Sequence, residues 1–321
     1  MSFLSRRTFL SAVAATSAAT MLPSLTQAAG LEHSPFRIAV INDEISQDFE
    51  RACAVAAEFG MKWMELRGMW NKNIIDLDAK EIAESQRLLK KYDLRVTDIA
   101  SPLFKVDWPG APKSKFSPKR DQFNSTYGFD QQEEVLEKSI AMAKAFRTDR
   151  VRCFDFWRLD DQKPYRTAIN ERLRKASEDV AKQDIVLVLE NESSCNTATG
   201  KEAAELLAAV QHPSFMVNWD PGNAAELGEI PYPDGYKLLP KARIGHCHVK
   251  SAVKNGDKYE WAPVGTGIVD WAGQFQALKR DGYRFAVSLE THWRGAGTPE
   301  ASTRQSWAGM KAALQKADAL T

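Results

Sequence analysis

Short apolar runs of period two alternate with longer stretches of period about 3.6 along this chain from Phe36 onward, the pattern of strands and amphipathic helices in parallel βα units. In the segment DIVLVLE, Val186, Val188 and Glu190 fall on one side, and Ile185, Leu187 and Leu189 on the other. Both faces are apolar, so both are expected to be buried. The segment FAVSLE repeats the arrangement, with Ala286, Ser288 and Glu290 opposite Phe285, Val287 and Leu289. Met216, Asn218 and Asp220 share a phase in a third run, as His246 and His248 do in a fourth, where Cys247 faces the other way. Closed into a parallel barrel, such strands would present Glu190, Asp220, His248 and Glu290 inward at the C-terminal rim. Three carboxylates and an imidazole at one mouth form a donor set for a divalent cation.

The same periodicity predicts strands at 37–42, 62–66, 95–100, 150–156, 185–190, 215–220, 243–250 and 285–290. Helices are predicted over 48–59, 78–92, 130–146, 164–182, 199–210, 270–280 and 299–319, with a short one near Tyr236. Gly60 stops the first helix, and Asp78 with Glu81 opens the second in capping-box spacing. The stretch 101–129, which carries Pro102, Pro109, Pro112 and Pro118, is too long for an ordinary connection and is predicted to form a lid above the rim. The expected fold is α/β, a single-domain (β/α)8 barrel over residues 29–321.

Residues 1–28 are expected to be a twin-arginine signal peptide rather than part of that fold. Ser5-Arg6-Arg7-Thr8-Phe9-Leu10 leads into an apolar small-residue stretch, Ser11 to Leu22, and Thr26-Gln27-Ala28 offers a cleavage site. Serines and threonines interrupt the stretch, and it is shorter than the roughly 20 residues needed to span a bilayer. The expectation is therefore export through the twin-arginine translocase to the periplasm, with no stable membrane insertion. A formal net charge of +1 leaves no basic excess for nucleic acid or anionic lipid. Cys53, Cys153, Cys195 and Cys247 show no CxxC spacing, and buried free thiols are expected.

The motifs Leu189-Glu190-Asn191-Glu192, Asn218-Trp219-Asp220-Pro221-Gly222-Asn223, His246-Cys247-His248-Val249-Lys250, Pro263-Val264-Gly265-Thr266-Gly267 and Ser288-Leu289-Glu290 occur in that order. In them the chain resembles the xylose-isomerase-like TIM barrels, the sugar phosphate isomerase/epimerase family, over nearly its whole length after the signal segment. The resemblance implies that Glu190, Asp220, His248 and Glu290 bind one catalytic divalent cation, and that Glu190 and Glu290 act as base and acid on opposite sides of a substrate. Two carboxylates flanking the plane of an ene-diolate can take a proton from one face and return it to another face or carbon. Mn²⁺ is the first choice of ion, with Mg²⁺, Co²⁺ or Zn²⁺ as alternatives.

Further residues are expected to touch the substrate. Glu65 and Arg67 share the inward phase of their strand, Arg152 that of its own, and their bland reading is structural ion pairing; Glu65 and Arg152 are the chosen contacts. His246 is expected beside the ligand histidine, Lys250 near an enolate oxygen, and His292 next to Glu290. Trp70, Trp108, Trp157, Trp261 and Trp293 fall in rim loops, where aromatic faces suit a sugar's C–H surface; Trp108 and Trp293 are the chosen contacts. Asn223 is also expected to touch the substrate; ketose 3-epimerases of the family carry histidine there, and follow His-x-His with Gly-Glu and an arginine where this chain has Val249-Lys250-Ser251. These departures argue against simple ketohexose epimerisation, and no glycine-rich phosphate loop is present. The expected function is isomerisation or epimerisation of an unphosphorylated carbohydrate. Alternatives are a dehydratase or β-eliminating lyase acting on a 3-keto-glycoside or inosose, and a non-catalytic exported sugar-binding barrel. A nuclease of the same fold would need a histidine-rich cluster and a basic face, against five histidines and a near-neutral charge here.

Overall fold

A computed structural model describes residues 31–320 apart from residues 32, 116–122 and 124. The expected signal peptide, residues 1–28, lies outside the described residues. One sheet holds the eight strands β1 (Arg37–Val40), β2 (Trp63–Leu66), β3 (Arg95–Leu103), β4 (Arg150–Cys153), β5 (Val186–Glu190), β6 (Phe215–Trp219), β7 (Ile244–Val249) and β8 (Ala286–Leu289). Each pairs in parallel with the next from β2 to β8, and β8 pairs in parallel with β1. Between β1 and β2 the ladder shrinks to a single bridge, Ile41 to Glu65. The barrel therefore closes with a seam at Glu65.

The helices α1 (Phe49–Glu58), α2 (Ala79–Lys91), α3 (Gln132–Phe146), α4 (Arg166–Ala181), α5 (Gly200–Ala209), α6 (Pro221–Glu226), α7 (Trp271–Arg280) and α8 (Pro299–Lys316) follow the strands in turn. Side chains that satisfy orphan amides set where most of them begin. Asp48 caps α1, Asp78 and Glu81 form the expected capping box on α2, Thr199 and Glu202 form one on α5, and Asp270 and Thr298 cap α7 and α8. The outward strand residues Leu187, Leu189, Val217, Val249, Val287 and Leu289 join one core with Leu206, Phe275, Leu278, Met310 and Leu314 of the helices. No described helix is long and apolar enough to cross a membrane. All four cysteines are free and buried, as expected.

Two irregularities aim the inward side chains. Ile244 pairs with Val217 but His246 with Asn218, so Gly245 is the extra residue of a bulge. A Cβ at Gly245 would lie 2.8 Å from Val188 Cγ1 and 2.9 Å from Met216 Cβ, so only glycine fits. A second bulge, at Thr97, brings Asp98 opposite Glu65. Some strand ends differ from those expected: β3 continues to Leu103, and β4 stops at Cys153, after which the chain turns toward the rim. An antiparallel hairpin of Ser251–Asn255 with Lys258–Ala262 rises from β7 where a loop was expected. Its strands are five residues each, and only Tyr259 and Trp261 alternate with polar neighbours, a period-two signal too brief to stand out.

Candidate metal centre

Glu190 ends β5, His248 lies near the end of β7, and Asp220 and Glu290 immediately follow β6 and β8. Each is inward by strand phase, and one donor atom from each lies within 4.8 Å of the others. His248 Nδ1 sits 3.2 Å from Glu190 Oε1, 3.2 Å from Glu290 Oε2 and 3.7 Å from Asp220 Oδ2. Asp220 divides its carboxylate: Oδ1 accepts from the Asn223 amide at 2.9 Å and caps α6, which leaves Oδ2 for the cluster. Asp220 thus spends one oxygen on the helix cap and turns the other to the cluster.

The surroundings prepare this donor set for a cation. His248 Nε2 lies 3.0 Å from Glu65 Oε1. A buried carboxylate there holds a proton on Nε2, so that a ring giving up its other proton presents the Nδ1 lone pair to the cluster, as outer carboxylates arrange for metal-binding histidines. Among the described residues His248 Nδ1 and Asp220 Oδ2 are buried and make no hydrogen bond of their own, although the Lys250 ammonium pairs with Oδ2 at 2.8 Å. Two buried ligand atoms aimed at one point, with two glutamate oxygens beside them, fit a divalent ion.

Charge in the cluster is balanced by named partners. Burial opposes ionisation of Glu190, but His248 and Arg152 hold its carboxyl well below the usual range. Arg152, wholly buried, donates to Glu190 Oε2 at 3.1 Å and to the Ala100 carbonyl at 3.0 Å. Asn223 Nδ2 donates to Glu190 Oε1 at 3.2 Å. Glu290, also buried, is held well below the carboxylate range by Lys250 first, then His292 and His248. Arg67 Nη1 donates to Glu290 Oε1 at 2.8 Å and Nη2 to Glu44 Oε1 at 2.6 Å, while Nε reaches Asp43. Burial disfavours charge on His248, yet Glu65, Glu190 and Glu290 raise it well above the ordinary imidazole range.

Beneath the four donors lies a second polar layer. His246 Nε2 is 3.5 Å from Glu65 Oε2, and burial pushes His246 down to about 4. The Asn218 amide spans the two imidazoles, 3.0 Å from His248 Nε2 and 3.1 Å from His246 Nδ1. Glu65 is held at about 2 because His248 and His246 outweigh its burial. Asp98 is buried without a hydrogen bond to either oxygen, and burial and then Glu65 raise it well above the carboxylate range. Glu65 and His246 thus stand behind His248, not at the open face.

The mouth carries the remaining residues. Lys250 Nζ lies 2.7 Å from Glu290 Oε2 and 2.8 Å from Asp220 Oδ2. His292, at φ 47°, places its Nδ1 3.2 Å from Glu44 Oε1 and its ring edge-on to Trp261 at 5.4 Å. Trp261 also lies 5.1 Å from Lys250 Nζ, so the hairpin brings an aromatic wall to the cluster. Trp108 instead stands edge-on to Phe156 at 4.7 Å and to Phe129 at 5.5 Å, and Trp293 packs on Gly295 in the loop after β8. Of the segment expected as a lid, Lys105 reaches Glu192 at 2.6 Å, and Phe123 has the cations of Arg67, Lys105 and Arg152 over its ring at 4.9, 4.3 and 4.7 Å. Asp43, Glu44 and Asp98 were not expected in the site. The run Asn42-Asp43-Glu44 at the end of a barrel strand is the signal for the first two.

Comparison with known proteins agrees with this arrangement. The chain is 26% identical over 194 residues to the "Putative L-ribulose-5-phosphate 3-epimerase SgbU" of Escherichia coli (strain K12), a match spanning 57% of this chain and 66% of that protein, just under two thirds of its length. The structure of the probable 3-DHS dehydratase AsbF from Bacillus anthracis superposes with a TM-score of 0.65 at 22% identity, covering 86% of this chain and 97% of that one. The IOLI protein with a binding zinc atom gives a TM-score of 0.66 at 14% identity, covering 87% and 98%. A family profile matches residues 53–313, most of the chain, and with the closed barrel and its rim cluster this places the protein in the family of xylose isomerase-like TIM barrels.

Proposed function

We propose that the protein is a divalent-metal-dependent isomerase or epimerase of an unphosphorylated carbohydrate, working through an ene-diolate of the substrate. The observation that carries this reading is the placement of Glu190 Oε1 and Glu290 Oε2, each 3.2 Å from His248 Nδ1, with Asp220 beside them. Glu190, Asp220, His248 and Glu290 would hold the ion, which supplies the positive charge that makes a proton next to a carbonyl removable. Mn²⁺ suits mixed carboxylate and imidazole ligation and is the first choice.

The chain's own residues do the proton handling. Both glutamates are held ionised, and each is oriented by a second partner, Arg152 for Glu190 and Arg67 for Glu290. Either can accept a proton from a carbon placed between them, and the protonated carboxyl can return it. Among the described residues Arg67, Arg152 and Lys105 are each committed to carboxylates. A phosphate would need donors not already so engaged, which supports an unphosphorylated substrate.

β-Elimination is the second reading, favoured by His292. Its ring is 30% exposed at the mouth, its Nδ1 makes no hydrogen bond, and Glu290 Oε1 is 3.7 Å away. An imidazole there could protonate a departing hydroxyl after Glu290 or Glu190 removes the proton. Residues 1–28 support export to the periplasm through the twin-arginine translocase, where phosphorylated sugars would not be the substrate pool.

The test is proton exchange into heavy water from keto-sugars and inososes with the metal-loaded protein. Exchange is expected, and Glu290→Gln should abolish it while the fold persists. Unchanged exchange in that variant would remove Glu290 from proton transfer, and no exchange from any keto-sugar would favour a binding role.

A further inference from the structure

We propose that the Lys250 ammonium is an internal placeholder for the metal, holding Asp220 and Glu290 together until a divalent cation displaces it. The inference rests on the reading of Glu190, Asp220, His248 and Glu290 as the ligand set, and it concerns what else competes for those oxygens.

The geometry is specific to the contested atoms. Lys250 Nζ approaches Glu290 Oε2 at 2.7 Å and Asp220 Oδ2 at 2.8 Å, with Glu190 Oε1 at 3.9 Å. These are the same three oxygens that face His248 Nδ1. An ammonium and a divalent ion cannot both engage Asp220 Oδ2 and Glu290 Oε2 from the same side, because each needs the lone pairs that point into the cluster. Loading therefore requires the lysine head to withdraw.

The chain is built to bring that head in. The Lys250 carbonyl accepts from Trp271 Nε1 at 2.9 Å, which anchors the backbone. Its stem runs over Gly222, where a Cβ would stand 2.5 Å from Lys250 Cγ and 3.4 Å from Cδ. Gly222 has no left-handed φ, so the glycine serves clearance and not backbone conformation. The face of Trp261, 5.1 Å from Nζ, gives a displaced ammonium an apolar and quadrupolar surface to rest on beside the mouth. Arg152 and Arg67 offset Glu190 and Glu290 from their outer oxygens, and the lysine supplies the remaining compensating charge on the inner side, where Asp220 Oδ2 and Glu290 Oε2 converge. When the ion takes over that task, the freed ammonium becomes a cation at the mouth not tied to a carboxylate, placed to meet an oxygen of the substrate.

Lys250→Met tests this without any assay of turnover. Lys250 donates a charge-assisted hydrogen bond to Glu290 and pairs with Asp220, so removing the competitor should tighten Mn²⁺ binding by about tenfold or more in calorimetric titration of chelator-treated protein. The same variant, stripped of metal, should melt several degrees lower than the stripped wild type, because the carboxylates lose their counter-charge. Opposite signs in the two measurements are the signature. A lysine that only braces the fold would weaken both properties, and a spectator would change neither; either result overturns the placeholder. Should Lys250→Met and Lys250→Gln both fail to fold when stripped, rescue by Mn²⁺ supports the proposal and failure of rescue refutes it. If wild-type protein binds no Mn²⁺, Mg²⁺, Co²⁺ or Zn²⁺, the ligand-set reading itself falls; if it binds one and Lys250→Met binds no tighter, the placeholder alone falls.

Discussion

Replacing Glu65 by glutamine tests how the metal centre is held, because Glu65 acts on the centre only through His248. The carboxylate is acceptor-only and lies 3.0 Å from Nε2, so once an ion displaces the Nδ1 proton it keeps the remaining proton on Nε2 and the lone pair on Nδ1. A carboxamide can accept or donate at the same place. Tautomers of His248 with the proton on Nδ1, which present no lone pair to the cluster, then become comparable in energy. Loss of such an outer partner typically costs 10- to 100-fold in metal affinity, or about 1.4–2.8 kcal/mol. Glu65→Gln should therefore raise the dissociation constant for Mn²⁺ by that factor in calorimetric titration, with a melting curve of the stripped protein that still shows one cooperative transition. Proton exchange from a substrate should recover at saturating metal, since Glu65 does not touch the reacting atoms. An unchanged affinity would refute the argument, and so would activity that stays lost when the metal site is filled.

Two further outcomes follow from the buried groups. His248 is raised well above the ordinary imidazole range, so it keeps its proton into the neutral region, and metal uptake must displace that proton. The apparent affinity should fall as pH falls, and calorimetry in buffers of different ionisation enthalpy should find about one proton released per ion; release of none would show that Nδ1 is not a ligand. Burial pushes the Cys53 thiol up to about 12, and Cys153, Cys195 and Cys247 are also raised by burial, so none should react with a thiol reagent at pH 8 until the protein is unfolded. A rapid reaction of even one thiol in the native protein would contradict the packing.

The barrel strands and the rim cluster were legible because each rests on a local rule. Period two in DIVLVLE and FAVSLE places Glu190 and Glu290 on the same phase as small interior residues, and β5 and β8 obey it. The His-x-His run did the same for His246 and His248, although the bulge at Gly245 that seats them has no signature beyond a lone glycine. What stayed hidden depends on contacts between distant segments. Arg67 was readable as an inward cation, but not as a fork joining Asp43, Glu44 and Glu290 from two other rim turns. Asp98 faces Glu65 only because Thr97 is an extra residue, a register fact that spacing does not reveal. Trp261 reaches the cluster on a hairpin whose lysines read as a solvated loop, whereas Trp108, expected at the substrate, joins the rings of Phe129 and Phe156.

The single bridge between Ile41 and Glu65 makes the first staves of this barrel the ones least tied by backbone. What spans that gap instead is side-chain charge: Arg67 from the β2 side clasps Asp43 and Glu44 from the β1 side, and Glu65 reaches across the interior to His248. An ion bound to His248 and Glu290 would tighten both straps at once, because Glu290 is the third anchor of Arg67. Amide hydrogens along β1 and β2 should therefore exchange as a group, and the ion that serves chemistry at the rim would also act as the rivet of the weakest joint below it.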